Sequence, residues 1–316
     1  MKLLIKIVVF LFITLIICYF IPIKTSQKTT IKASFIDVAN EVNTGDKWKN
    51  WYAPIKYAYA TSPSSYKLRE DYKNHKIYLQ TIDNYYEINK YSPAWIELQI
   101  GKYIKTTQTI HFTFDKDGHI TINETQSTSL FNYLLKLVKP DVKHLSIVRS
   151  LKQFMETPSL YYGFDIKKTT VPDTAFITST AVVSKRDRFI LLKNTYPILK
   201  QFALKNKVRV VGYPYLNYSS VNADSMRITT MVVINKALSL YGEGKINFFA
   251  MPKNGQLLVA HYHGEYGKSS EVYTALDRYV SDNNYTRVYV PFERYLGNVP
   301  TSNHSIVDMD VFCPVY

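Results

Sequence analysis

The sequence predicts an α+β chain in three parts: an N-terminal transmembrane helix, a domain of short helices and an antiparallel meander, and a tandem strand-helix-strand-strand domain. Three observations carry this. Residues 7–23 form an uncharged run. Residues 66–126 break into short segments in which apolar and polar residues alternate. The C-terminal half repeats one plan, with Arg209-Val210-Val211-Gly212-Tyr213-Pro214-Tyr215-Leu216-Asn217-Tyr218 returning as Arg287-Val288-Tyr289-Val290-Pro291-Phe292-Glu293-Arg294-Tyr295-Leu296. A duplication of this kind builds two similar halves about a pseudo-two-fold axis, with a ligand crevice between them.

The uncharged run lies between Lys6 and Lys24 and meets the short end of the roughly 17–25 residues that span a bilayer. Phe20-Ile21-Pro22-Ile23 has no small-residue cleavage signature, and Ile17 is bulky where lipoprotein processing at Cys18 requires a small residue. The expectation is an uncleaved single-pass anchor over residues 1–24, with membrane lipid as a partner. Lysines flank both ends, so the side of the membrane stays open. The remaining length, at 46% apolar content over 316 residues, allows two ordinary domains. The net charge of +14 is scattered and accompanies no helix-turn-helix or zinc-finger spacing. Nucleic acid is therefore not expected as a partner, and an anionic lipid surface suits the charge better. Cys18 and Cys313 predict no intramolecular disulfide and leave the compartment open.

After the anchor, residues 28–34 read as a strand and residues 35–43 as a helix, with Ile36, Ala39 and Val42 on one face. Trp48 and Trp51 follow as packing residues. The meander comprises strands at 76–82, 85–89, 94–100, 107–114 and 119–125, the last two joined by an Asp115-Lys116-Asp117-Gly118 turn. A long helix closes the region, with Leu145, Val148, Leu151 and Met155 on one face. Pro158 and the aromatic residues after it mark a junction. The first repeat has a strand at 175–183, a helix at 189–204 restarted or kinked at Pro197, and two strands. Gly242-Glu243-Gly244 turns into the second repeat, which has a strand at 257–263 and a helix from Ser270. Val272, Ala275, Leu276, Tyr279 and Val280 form that helix's apolar stripe, and Asp282-Asn283-Asn284 ends it.

The element order of residues 28–157, with Trp48-Lys49-Asn50-Trp51-Tyr52-Ala53-Pro54 after the first helix, resembles the START-like helix-grip (SRPBCC) superfamily. That resemblance implies a curved sheet gripping a long helix over a cavity, and it brings no catalytic pattern. In the other half, His263-Gly264-x-Tyr266, the amphipathic helix, the Pro291–Leu296 segment and the terminal Cys313-Pro314-Val315 resemble the GyrI-like (AraC-type) effector-binding domain. Gly212-Tyr213-Pro214 and Tyr218 fit the same pattern, and the domain would span residues 165–316. This resemblance implies binding of small, often amphipathic or cationic molecules between the repeats. Some members hydrolyse strained electrophiles with a pocket glutamate. Where a regulator of this kind carries its DNA-binding module, the expectation here is a membrane segment and a START-like region, so a regulator's role does not follow.

The two repeats differ by one charge, since Glu293 stands where the first copy has Leu216. On a strand, Tyr289, Pro291, Glu293 and Tyr295 share a face. A carboxylate among aromatics is costly to desolvate unless a cation compensates, and tyrosine rings add about 0.5–2 kcal/mol of cation–π attraction each. The expected ligand-binding residues are therefore Glu293, Tyr218, Tyr266, Tyr289 and Tyr295; the alternative for Glu293 is a solvated rim position. His261 and His263 share a strand face without a clear third ligand, so no metal is expected. No cofactor motif or nucleophile pair is evident, and the calcium-loop-like run at Asp115 has the wrong spacing. The expected function is a membrane-anchored small-molecule-binding protein, a sensor or sequestering protein for apolar or cationic compounds, without catalytic residues. One alternative is a hydrolase with Glu293 as general base. Another is an adaptor that docks a protein partner through its basic face.

Overall fold

The computed structural model describes residues 7, 10, 13, 14, 16–82, 84–101, 106–114, 120–131, 133, 146–237 and 244–316. The chain divides into two units, Met1–Thr157 and Pro158–Tyr316, and each contains one antiparallel sheet.

The N-terminal expectation requires correction. Among the described residues no helix is long and apolar enough to cross a membrane. Pro22, Ile23 and Lys24 are not the end of an anchor but the start of strand β1 (Pro22–Ile31), which pairs with residues 120–129 along its whole length. The physical reason lies in Pro22: it cannot donate to a helix, and it is tolerated as the first residue of an edge strand. Before Pro22 the described residues of the run are helical, including Ile16–Phe20, and Ile21 N donates to Ile17 O at 3.2 Å. The single-pass location and the lipid partner that went with the anchor have no support. Much of the first fifteen positions lies outside the described residues.

In this unit the meander is β2 (Lys67–Asp71), β3 (Lys76–Gln80), β4 (Tyr85–Ser92), β5 (Trp95–Ile100), β6 (Thr106–Phe114) and β7 (Ile120–Ser129), in the spatial order β1-β7-β6-β5-β4-β3-β2. One face is written in alternation: Ile77 and Leu79, Tyr86 and Ile88, Ile96 and Leu98, Ile110 and Phe112, Ile120 and Ile122 are all buried. The turn expected at residues 115–118 lies outside the described residues. Helix α1 (Phe35–Asn43) is capped by Ser34, whose Oγ accepts from Asp37 N at 3.1 Å. Its buried side is Val38, Glu41 and Val42, while Ile36 is 77% exposed, so the helix forms as predicted on a rotated face. The rotation follows from the tryptophans of α2 (Trp48–Trp51): Trp48 Nε1 donates to Val42 O (2.9 Å) and Trp51 Nε1 to Glu41 O (3.3 Å). Helix α3 (Ala53–Thr61) follows, and α4 (Ile147–Met155) lies against β1 and β7 with Val148, Leu151 and Met155 buried as its spacing predicts. Leu145 lies outside the described residues.

The second unit opens with a short helix, α5 (Pro158–Tyr161), and strand β8 (Lys167–Thr170). The duplication then appears as β9 (Ala175–Ser184), α6 (Arg188–Lys205), β10 (Val210–Ser220) and β11 (Ser225–Ile234). It repeats as β13 (Gln256–Glu265), α7 (Ser270–Asp282), β14 (Phe292–Tyr295) and β15 (Ile306–Pro314), with β12 (Ile246–Ala250) intervening. Gly242 and Glu243, expected in the turn between the repeats, lie outside the described residues. The sheet runs β12-β9-β11-β10-β14-β15-β13-β8. Helix α6 is continuous through Pro197, whose ring lies on the exposed side. The two repeats join where β10 pairs with β14, and there Leu216 sits directly opposite Glu293. Both helices pack on one face of the sheet, with Leu192, Leu199, Val272 and Leu276 in a single apolar cluster. Phe176, Tyr215, Phe292 and Phe312 form a smaller cluster on the other face.

Candidate functional site

Strand β14 is only four residues long and is held between β10 and β15. Period-two alternation sends Phe292 to one face and Glu293 and Tyr295 to the helix-covered face. Glu293 is completely buried. Its carboxyl accepts hydrogen bonds from three phenols brought by three different elements. Tyr273 of α7 donates to Oε1 at 2.7 Å, Tyr295 of β14 donates to Oε2, and Tyr266, in the turn before α7, approaches Oε2 at 3.5 Å.

Burial pushes the Glu293 carboxyl up to about 7, against the pull of the Tyr295, Tyr273 and Tyr266 hydroxyls and the charge of Arg188. The phenols move further. Tyr266, Tyr273 and Tyr295 are held well above the ordinary tyrosine value, first by burial and then by the charge of Glu293. Tyr218 is pushed up to about 12 for the same two reasons. The tyrosines therefore stay protonated as donors, and Glu293 is the group that titrates near neutrality.

Above this cage lies a cleft of about 330 Å³. Leu192, Leu216, Met226 and Ile228 supply its apolar wall, Tyr218 and Tyr266 its aromatic wall, and Arg188 with Asn303 its polar end. Glu293 does not line the cleft. It lies behind Tyr266, so its charge reaches the cleft through an intervening hydroxyl and ring. Tyr218 connects to the cage through Tyr273, with ring centroids 5.9 Å apart. An apolar floor over a titrating carboxyl can hold an amphipathic molecule and stabilise a cation at the aromatic wall.

Of the five residues expected from sequence, the structure brings Glu293, Tyr266 and Tyr295 into contact and sets Tyr218 beside them. Tyr289 is placed elsewhere: it is 57% exposed and lines a separate depression with Thr178, Thr229, Phe249 and Phe292. The alternation that grouped it with Glu293 fails because the strand begins only at Phe292, and Val288, Tyr289 and Val290 are all exposed. Sequence reasoning missed Tyr273 and Arg188. Tyr273 stands next to Val272 of the apolar stripe and could have been read as a flanking position of that helix face. Arg188 has no local signal, being one of several basic residues around the start of α6. His261 lies between Asp308 (3.3 Å) and Asp310 (3.2 Å) on the sheet surface. Among the described residues no group of three or more His, Cys, Asp or Glu side chains could hold a metal ion.

No family model and no curated protein matches the sequence. Solved structures do show likeness. The C-terminal domain of EcmrR aligns at 18% identity and a TM-score of 0.41, covering 48% of this chain and 98% of that one. An uncharacterized conserved protein from Listeria innocua aligns at 10% identity and 0.38, covering 48% and 92%. A START superfamily protein from Mycobacterium smegmatis aligns at 11% identity and 0.29, covering 42% and 97%. Likeness at this level assigns no family to this chain, and the chemistry of the site rests on its own side chains.

Proposed function

We propose that the second unit binds a small amphipathic molecule, apolar or cationic, in the cleft above Glu293, and that the protein acts as a sensor or sequestering protein for such compounds. The observation that carries this reading is a wholly buried carboxyl, wired to three phenols, beneath a cleft with one aromatic and one apolar wall. A purely structural glutamate at this position would be easier to replace by an apolar residue such as the Leu216 opposite it, because desolvating a carboxylate costs several kcal/mol. The same reading takes residues 28–157 as a helix-grip domain and residues 165–316 as the ligand-binding domain. A pKa near 7 also suits a general base. Binding is favoured over hydrolysis because the carboxyl is wholly buried, does not line the cleft and has both oxygens bonded to phenols.

Calorimetric titration with phenylbutylammonium and its neutral counterpart phenylbutanol tests the reading. The cation should bind the native protein more tightly as pH rises from 6 to 8, because Glu293 ionises through about 7. Glu293→Gln should remove that pH dependence and cost the cation about 1–2 kcal/mol, while phenylbutanol should hardly change. Equal losses for both probes, or a cation affinity flat with pH, would refute charge recognition by Glu293.

A further inference from the structure

Arg188 is the first residue of α6 and forms the polar end of the cleft. Its guanidinium lies over Phe189, 4.6 Å from the ring centroid, and over Tyr266 at 5.7 Å. One terminal nitrogen donates to Asn303 Oδ1. Asn303 is itself pinned, because its carbonyl accepts from Gly267 N at 2.7 Å. The remaining chemistry is unbalanced. Nε of Arg188 is sealed from solvent and has no acceptor. Among the described residues Arg188 forms no ion pair with a carboxylate. Glu293, whose charge it feels, has both oxygens engaged by phenols.

The guanidinium lines the cleft with a neutral amide and two rings for neighbours and no carboxylate, an incomplete arrangement for a half-buried charge. An anion in the cleft would meet its terminal nitrogens rather than the sealed Nε, and an arginine matches a carboxylate there with parallel N–H···O bonds. The apolar wall of Leu192, Met226 and Ile228 belongs to the same cleft. We infer that Arg188 is an anion-recognition point, and that the cleft takes a ligand bearing a carboxylate at one end of an apolar body. This rests on the reading of the cleft as a ligand site, and it adds a charge of the opposite sign to the one Glu293 selects. A cation at the tyrosines and a carboxylate at Arg188 are compatible in one zwitterionic molecule, so the two charge preferences are separately measurable.

The experiment titrates the full chain with phenylbutyrate, phenylbutanol and phenylbutylammonium, in the native form and as Arg188→Gln, Arg188→Lys and Glu293→Gln. Phenylbutyrate should bind the native protein about tenfold or more tightly than phenylbutanol, the size of a charge-assisted hydrogen bond. Arg188→Gln should erase that advantage and leave phenylbutanol within about twofold. Arg188→Lys should restore part of it, since lysine keeps the charge and loses the fork. If phenylbutyrate binds the native protein no better than phenylbutanol, the inference is overturned. It is equally overturned if Arg188→Gln weakens both probes alike, which would make Arg188 a clamp between Asn303 and Tyr266. Phenylbutanol binding, with a cation preference lost in Glu293→Gln, would in those cases leave the cleft reading intact. Absence of binding by all three probes would overturn both together.

Discussion

Glu293→Gln should convert a pH-dependent stability into a nearly flat one, and the structure sets the size of the change. A carboxyl that titrates near 4.5 in the unfolded chain and near 7 in the folded one binds its proton more tightly when folded. Stability from this group is therefore fully present below about pH 4.5, and it is lost as pH rises through about 7. Every tenfold gain in proton affinity on folding is worth about 1.4 kcal/mol, so the loss between pH 4 and pH 8 is on the order of 3 kcal/mol. Glu293 is wholly buried, so solvent does not screen this value. Gln keeps the shape and does not titrate, and the hydroxyls of Tyr273 and Tyr295 can rotate to meet its amide. Urea denaturation of the full chain, followed by tyrosine signals in near-ultraviolet circular dichroism, reads both units, and the transition that tryptophan fluorescence does not share belongs to the second. Trp48, Trp51 and Trp95, the chain's three tryptophans, all lie in the first unit, and their fluorescence serves as an internal control. The native protein should lose stability relative to Glu293→Gln by roughly 3 kcal/mol between pH 4 and pH 8. A difference that stays constant across this range would show that Glu293 titrates as an ordinary carboxyl and would refute the burial argument.

Further outcomes are expected elsewhere in the chain. Tyr273→Phe removes the 2.7 Å hydrogen bond that favours the ionised form, so the midpoint of the stability change should move to higher pH in the same denaturation series. Gly45→Ala should destabilise the first unit by about 1–3 kcal/mol, read by tryptophan fluorescence. An added Cβ there would lie 2.6 Å from Leu68 Cδ1 and 2.8 Å from Ile77 Cγ2, and it would disturb the Gly45 N–Glu70 Oε1 bond. Pro197→Ala should stabilise the second unit by about 1 kcal/mol or more, because Pro197 sits exposed inside a continuous helix and alanine is the better helix former; thermal unfolding measures it.

Much of the fold was legible in local patterns. Ile110 and Phe112, like Ile120 and Ile122 on the neighbouring strand, alternate in the sequence as they do in the sheet, where Phe112 lies opposite Ile122. The stripe Val272, Ala275, Leu276 and Val280 is the buried face of its helix. Alternation within Phe292–Tyr295 was enough to put Glu293 and Tyr295 on one side. It was not enough for Tyr289, because nothing local says that the strand starts after Pro291. On α1 the spacing gave a helix but selected Ile36, when Trp48 and Trp51 dock on the carbonyls of Val42 and Glu41 and fix a different face.

The sequence by itself determined the strand-helix-strand-strand duplication, the meander, and the single acid that breaks the symmetry between the repeats. These are written in periods of 2 and 3.6 residues, which depend only on where successive side chains point. The tertiary structure decided the rest. It drew Pro22 into a strand paired with Ser129 in place of a membrane helix, and it closed three tyrosines from three elements around Glu293. It also set Arg188 beside Asn303, far along the chain. Each of these depends on contacts between segments remote in sequence. A residue's type fixes what it can bond to, but only the pairing of strands and the seating of helices fixes which partner arrives and whether water is excluded when it does.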